Sequence, residues 1–350
     1  MKKGWETKPF EDCIEPVEYT RKVQRKDFLS EGQFPIVSQE SEFTNGFWDD
    51  EADVFKLSKP VVIFGDHTQV LKYVDFDFVL GADGVKILQP RTFLWPKFFF
   101  YQLRAAELPS LGYARHYRLL KELELCVPPL PEQQRIVGIL DEAFTGIATA
   151  KANAEKNLQN ARALFESHLH VEHAEKAMLG DLVNIKTGKL DANAAIEGGK
   201  FPFFTCSREI FAIDTYAFDC EAILLAGNNA VGDFNVKHYN GKFNAYQRTY
   251  VITVNEKNRV LYRFLYFQML KSLKKFKAQS VGAGTKFLKL GMIKELEIEL
   301  PSLEEQQRIV STTDAVREET DRLASIYQQK LDALEALKKS LLHQAFAGAL

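Results

Sequence analysis

Along residues 132–165 a seven-residue rhythm dominates. Val137, Phe144, Lys151, Leu158 and Phe165 form one series, and Leu140, Ile147, Ala154 and Ala161 interleave with it. Two interleaved heptad series place one stripe along a single helix face, which is the pattern of a seam buried against another helix. A second stripe runs through Ile309, Val316, Leu323 and Leu337, interleaved with Thr313, Thr320, Tyr327, Leu334 and Leu341. The starts and stops agree with the stripes. Pro131 suits a first helical turn, Ser302 with Glu305 spells an S-x-x-E capping box, and Gly348 stands where a helix would end. Each stripe predicts a helix of about 40 residues, or about 60 Å at 1.5 Å per residue. The most economical cover for each seam is the other helix. A globular stretch lies between them, so an antiparallel pair with a domain at either end is expected. The alternative, each helix packing only on its own domain, does not need sustained heptads.

Outside these stripes the period shortens. PVVIFG (60–65) and GVKILQP (84–90) are β-prone runs bounded by turn formers, and PKFFFYQLR (96–104) predicts a buried helix. Residues 176–300 give AILLAG (222–227), RTYVITV (248–254) and RFLYFQMLK (263–271) in the same order, and QFPIVSQ (33–39) answers KFPFFTCS (200–207). Two mixed α and β stretches thus share one layout while their polar residues differ.

The repetition is explicit at one point. PPLPEQQRIV (128–137) returns as PSLEEQQRIV (301–310), and KELEL (121–125) returns as KELEI (294–298), both at an offset of 173 residues. An internal repeat of this length decides the architecture before any local detail. The chain divides into a first domain (1–127), a first long helix (128–175), a second domain (176–300) and a second long helix (301–350). Gly138 and Gly146 interrupt the first helix at a cost of about 1 kcal/mol each relative to Ala. They suit close helix approach, partner docking or local fraying.

Composition narrows the class. A 350-residue chain with 46% hydrophobic and 26% charged residues is ordinary for two globular domains. No apolar run reaches the roughly 18 residues of a membrane span, and MKKGWETKPF lacks the apolar core of a signal peptide. The four cysteines (Cys13, Cys126, Cys206 and Cys220) are scattered with no CxxC pair, which suits a reduced, cytoplasmic location. The net charge is −2, distributed as −3, −3, +6 and −2 over the four segments. An acidic total permits specific nucleic-acid binding but argues against tight binding by charge alone.

The doubled motif, its long helices and the closing LLHQAFAGAL (341–350) resemble the specificity subunit of Type I restriction–modification enzymes across the whole chain. That resemblance implies an α+β fold: two similar mixed α/β target recognition domains joined by two long antiparallel coiled-coil helices in a pseudo-twofold repeat. It implies a non-catalytic subunit that reads a split DNA sequence, one half per domain, with the helices as a ruler. The implied partners are double-stranded DNA, methyltransferase (modification) subunits and restriction/translocase subunits, with no membrane. No cofactor is expected in this chain, while S-adenosylmethionine, ATP and Mg are expected in partner subunits. Many such proteins carry a further segment ahead of the first domain, whereas here that domain begins almost at Met1. Trp5 to Ile14 echoes Met178 to Val183, so nothing essential is expected to be missing, although the N-terminal brace is expected to be weaker.

Reading DNA takes cations for phosphates and Arg, Asn, Gln, Ser or Thr for base edges. In the first domain the candidates are Arg21, Lys22, Arg25 and Lys26, then Ser38 and Gln39, then His67, Thr68 and Gln69, and finally Arg115, His116 and Arg118. In the second they are Lys186 and Lys189, Ser207 and Arg208, Asn228 and Asn229, Gln247 and Arg248, and Thr285 with Lys286. Any one of these taken alone reads more readily as a solvated loop or turn residue. The set argues otherwise, because loops at matching repeat positions carry different chemistry. Lys271, Lys274, Lys275 and Lys277 fit a solvent-facing helix as well as phosphate contact. His168, His170 and His173 lack Cys or carboxylate support at a metal-binding spacing, so no metal is expected.

Catalytic alternatives find no motif. The only Pro-Pro (128–129) precedes Leu130 and so cannot be the Asp/Asn-Pro-Pro-Tyr/Phe stretch of an amino-methyltransferase. No phosphate-binding GxxxxGK[ST] loop occurs, and the only E-x-K, Glu6-Thr7-Lys8, lies too near the N-terminus for a common nuclease motif. A stand-alone DNA-binding repressor or a coiled-coil scaffold remains the competing reading.

Overall fold

The computed structural model describes residues 4–81, 84–112, 114–167, 174–255 and 259–350. They form two compact units, Met1–Ala154 with Gln328–Leu350, and Glu155–Tyr327.

The first unit opens with β1 (Glu6–Pro9), the short helix α1 (Phe10–Cys13) and β2 (Ile14–Glu15). β3 (Lys22–Val23), β4 (Phe34–Val37), β5 (Gly46–Trp48) and β6 (Val54–Phe55) follow. Next come β7 (Val61–Gly65), β8 (Leu71–Val74), β9 (Phe78–Gly81) and β10 (Val85–Pro90). Helices α2 (Pro96–Ala105) and α3 (Tyr117–Lys121) and strand β11 (Glu124–Val127) precede the long α4 (Leu130–Ser167). One sheet runs β2-β10-β7-β8 and a second runs β3-β9-β4-β5, with β6 also on β9. β7 is buried at every position, which is why it reads as an unbroken apolar run.

The second unit repeats the plan. β12 (Glu175–Met178), α5 (Leu179–Leu182) and β13 (Val183–Thr187) correspond to the opening of the first. β14 (Phe201–Phe204), β15 (Phe211–Ile213), β16 (Phe218–Ala226), β17 (Asn228–Asn229), β18 (Val236–Ala245) and β19 (Thr249–Val254) follow. Then come α6 (Tyr262–Gln279), β20 (Lys286–Phe287), α7 (Leu290–Lys294), β21 (Glu297–Leu300) and the long α8 (Leu303–Phe346). The sheet order is β13-β19-β16-β18-β14-β15. The register coincides with the first unit: Ile63 faces Lys72 and Ile87, and Leu224 faces Lys237 and Val251. The parallel pair Ile36–Val79 recurs as Phe203–Asn244, so β18 alone does the work of β8 and β9. Each opening strand is clasped by the strand before a long helix, β1 by β11 and β12 by β21.

The long helices enter both cores. Ile136, Val137 and Leu140 of α4 and Leu342 and Ala345 of α8 pack with Phe10, Phe64, Phe98 and Phe99 in the first unit. Ile309 and Val310 of α8 pack with Phe264, Phe267 and Ile293 in the second.

The doubled EQQRIV motif is explained chiefly by one side chain. Gln133 is fully buried. Its Oε1 accepts from the Trp95 amide at 2.7 Å, and its Nε2 donates to the carbonyls of Phe93 at 2.9 Å and Pro128 at 2.8 Å. Gln306, also fully buried, accepts from the Leu261 amide at 2.9 Å and donates to the carbonyls of Arg259 and Pro301 at 2.8 and 2.9 Å. Trp95 and Leu261 are the N-cap residues of α2 and α6. Each glutamine therefore satisfies the open end of a domain helix and latches it to the start of a long one. The motif's Glu and Arg pair with each other on the surface, Glu132 with Arg135 and Glu305 with Arg308.

Within the first unit α4 and α8 are antiparallel, with Arg135 donating to the Leu350 carbonyl at 2.8 Å and Lys151 meeting Glu335 at 3.0 Å. In the second unit the Thr320 hydroxyl donates to the Ala161 carbonyl at 3.5 Å. Leu140, Ile147, Ala154 and Ala161 are all buried, in keeping with the expected seam; the Phe165 side chain lies outside the described residues. One seam position is corrected. Leu337 is 48% exposed, while Leu331, Lys338 and Ala345 turn inward beside Leu334 and Leu341. A helix of 3.6 residues per turn drifts about 20° per heptad, so a single seven-residue stripe cannot face inward over all of α8.

The helix ends follow the sequence. The Glu305 amide donates to the Ser302 hydroxyl at 3.3 Å, while its carboxylate engages Arg308. Gly348 adopts φ 75° and the Ala349 amide closes on the Gln344 carbonyl at 2.9 Å, a left-handed C-terminal cap. A methyl added at Gly138 or Gly146 would meet nothing within 4 Å, so neither glycine serves close approach within the described chain. Among the described residues no helix is long and apolar enough to cross a membrane.

Candidate nucleic-acid interface

In the first unit several strands run out at one edge. β4 leads into residues 38–45 and β7 into the turn 66–70, while β10 starts after Gly84. The Asp66 amide donates to the Gly84 carbonyl at 2.7 Å. Gln39 is bridged to the turn twice: its carbonyl accepts from the Thr68 hydroxyl at 2.5 Å, and its Oε1 accepts from the His67 amide at 3.2 Å. The 109–117 segment joins the edge through Gln69 Nε2 on the Pro109 carbonyl at 3.1 Å and the His116 amide on the Asp66 carbonyl at 2.7 Å. Gln69 takes φ 58°, a left-handed conformation that closes the turn. Arg25 lies 2.9 Å from Glu40 of the same edge. The fold thus gathers Arg25, Gln39, His67, Thr68, Gln69 and Arg115 from four places in the sequence.

Two of the predicted contacts are corrected by burial. Ser38 is 2% and His116 is 1% exposed, so neither has surface to offer a base edge. The His116 ring lies 3.0 Å from the Asp66 carbonyl and accepts the Leu111 amide at 3.0 Å, which makes it the peg of its loop. Arg21 leans on Asp53 at 3.5 Å and over the Trp48 ring, and Lys22 lies over Tyr19. Lys26 and Arg118 are exposed on short helical turns. Asp66 was not singled out in the sequence. It is 3% exposed and accepts the Tyr117 amide at 2.7 Å, tying the turn to α3; its place at the end of an apolar strand is the only signal of that role.

The second unit builds the same edge from different residues. The Gly227 amide donates to the Arg248 carbonyl and the Leu288 amide to the Gly227 carbonyl, each at 2.9 Å. Asn228 and Asn229 pair with Phe287 and Lys286 in a small two-stranded ribbon. The Gln247 amide reaches the Leu190 carbonyl at 2.9 Å, and its side chain donates to Asp191. A concavity of about 600 Å³ opens here, lined in part by Thr187, Gln247, Arg248 and Lys289. The predicted Lys189, Asn228, Gln247, Arg248, Thr285 and Lys286 therefore converge. Asn229 spends its side-chain oxygen on the Val231 and Asp233 amides, shaping the loop from within. Arg208 pairs with Asp233 at 2.7 Å and holds that carboxyl below its ordinary range. Lys186 is exposed within β13, opposite Val251. Lys271 meets Glu299 at 3.1 Å, and Lys275 and Lys277 are exposed on α6.

Gly188 is fixed by this crowding. A methyl there would lie 1.8 Å from the Ala245 carbonyl oxygen, so Gly188→Ala must push backbone apart. Thermal denaturation should show it destabilised by about 1–3 kcal/mol or more, with the 186–191 segment displaced.

Two lysines sit behind these loops. Lys72 is 3% exposed and donates to the Glu42 carbonyl at 2.5 Å and to Asn45 Oδ1 at 3.1 Å. Burial pushes its ammonium down to about 8, partly offset by Glu40 and Glu42. Lys237 donates to the Ser207 carbonyl and to Asn235 Oδ1, each at 2.6 Å, and burial lowers its pKa as well. Among the described residues no group of three or more His, Cys, Asp or Glu could hold a metal; His168, His170 and His173 lie outside those residues.

One frame, presented twice with different polar loops at the same edge, defines a two-domain recognition protein. The chain belongs to the Type I restriction modification DNA specificity domain family, whose model matches residues 2–159 and 172–335. It is 38% identical over 172 residues to the Type I restriction enzyme EcoDI specificity subunit of Escherichia coli, covering 49% of this chain and 37% of that one. It is 31% identical over 162 residues to the EcoR124I/EcoR124II specificity subunit of Escherichia coli, covering 41% and 38%. The matched stretches thus span under two fifths of these relatives. A chain solved in work on complex assembly and conformational transition of the type I R-M system superposes with a TM-score of 0.70 at 17% identity, covering 99% of both chains. That likeness establishes a shared fold.

Proposed function

We propose that this chain is the non-catalytic reader of a restriction–modification complex, recognising a two-part sequence in double-stranded DNA with one half-site per domain. The observation that carries this reading is the pair of equivalent edges: the loops after β4 and β7, with Gln39, His67 and Thr68, correspond to those after β14 and β16, with Ser207, Asn228 and Asn229. Hydrogen-bonding side chains of this kind specify bases, while Arg25, Arg115, Arg208 and Arg248 supply phosphate or guanine contacts. The domain with the cationic surplus grips the backbone more strongly. The long helices act as the spacer between half-sites and dock methyltransferase subunits, to which restriction/translocase subunits add. Those partners bring S-adenosylmethionine, ATP and Mg, and the methyltransferase flips a target adenine out of the stack in each half.

Methylome sequencing of cells that express this chain with its methyltransferase subunit tests the reading. Adenine methylation at one split motif, absent when either protein is omitted, is the expected result. A purified chain that binds a split sequence tightly alone, with no methylation on co-expression, makes it a repressor instead.

A further inference from the structure

We propose that Lys72 and Lys237 are positioning residues for sequence reading, each setting the shape of the loop that follows β4 or β14 in its domain. The inference rests on the DNA-reading function above and goes beyond it. Three observations carry it.

First, the two lysines are structural equivalents. Lys72 lies opposite Ile63 on β7, and Lys237 lies opposite Leu224 on β16, at the same register of the two central sheets. Second, a strand position beside a buried apolar run is a costly place for an ammonium group, yet both halves put one there, Lys72 buried and Lys237 half-buried. Third, the groups that receive the protons are loop groups. Lys72 reaches the Glu42 carbonyl and Asn45 Oδ1, and Lys237 reaches the Ser207 carbonyl and Asn235 Oδ1.

An asparagine completes each arrangement, by a different route. Asn45 Oδ1 also accepts the Ser38 amide at 2.9 Å, so lysine and asparagine together close residues 38–45 into a fixed arc beside Gln39. Asn235 Nδ2 donates to the Cys206 carbonyl at 2.8 Å, so the same pairing holds residues 206–207 next to Arg208. Carbonyl and amide partners make each lysine a fastener for backbone shape, indifferent to which side chains the loop displays. That is what a scaffold needs if one frame is to carry two different readers. With the fastener gone, the loop should still approach DNA, but its base-facing side chains would sample several positions and discriminate poorly.

The test uses the full chain co-purified with its methyltransferase subunit, and selection from a pool of randomised duplexes. Wild type should return a two-part motif. Lys72→Met should blur one half, lowering discrimination there by about tenfold, roughly the value of one good base contact, and leave the other half sharp. Lys237→Met should do the reverse, and Asn45→Ala should blur the same half as Lys72→Met. The untouched half is the internal control for folding; should Lys72→Met lose its melting transition, Asn45→Ala decides. Variants that keep both halves as sharp as wild type, or that weaken both halves equally, overturn the positioning role. A wild-type complex that selects no two-part motif overturns the DNA-reading function first, and the positioning role with it.

Discussion

Gln133→Leu and Gln306→Leu should each lower the free energy of unfolding by about 3 kcal/mol or more. Leucine matches glutamine closely in volume, so little of the effect comes from packing. The cost comes from the three backbone groups each glutamine satisfies: the amide at a domain helix's N-cap, one carbonyl just ahead of that helix (Phe93 or Arg259) and one just ahead of a long helix (Pro128 or Pro301). Each buried group left unpaired costs about 1–3 kcal/mol, and no water has ready access at a fully buried site. Loss on this scale removes a large part of the stability of an ordinary domain. The neighbouring Gln134 and Gln307 are exposed, and their alanine variants should stay within about 0.5 kcal/mol of wild type. Chemical denaturation of the four variants is the measurement. A small effect at Gln133, or equal effects at Gln133 and Gln134, would show that the latch does not hold the domain helix.

Adding seven residues to both α4 and α8, after Ala154 and after Tyr327, should lengthen the unread gap between half-sites and leave the half-sites unchanged. Seven helical residues add about 10.5 Å, equivalent to about three base pairs at 3.4 Å each. A whole heptad keeps the buried stripe of each helix in phase, whereas three or five residues would rotate it out. The methylated motif of cells carrying the extended chain reports the outcome. A gap of unchanged length would refute the spacer role.

Much of the frame was legible in the sequence because it rests on short-range signals. β7 and β19 are apolar or β-branched runs ended by turn formers, and they fold as strands. PKFFFYQLR folds as α2, and the heptads fold as α4 and α8. The EQQRIV repeat announced the duplication, but not its reason, since nothing in a string of letters separates a buried glutamine from an exposed one beside it. Leu337 departs from the heptad stripe for a physical reason: heptad counting assumes 3.5 residues per turn, and an α-helix of 3.6 does not keep that pitch. The edges were half legible. Polar loops after apolar strands located them: Gln39 and Gln69 come together in the first unit, and Gln247 and Arg248 in the second. Ser38 and His116 look like their neighbours in the sequence, but the His116 ring is held inward at the distant Asp66 carbonyl and the Ser38 hydroxyl is taken up by the Glu40 amide. Lys72 and Lys237 carry no signal in the sequence, because each lies among strand residues, where a charge reads as a solvent-facing position.

Because the frame is written twice, tolerance to change should be written twice as well. Gln133 and Gln306, Ile136 and Ile309, Leu120 and Ile293, and Leu125 and Ile298 are buried pairs separated by 173 residues. A complete map of single substitutions would show two stripes of intolerance that superimpose at that offset. Between them, the exposed loop positions would tolerate almost any residue as far as folding is concerned. Such a chain can acquire a new message in one half through a handful of surface changes, without renegotiating its architecture.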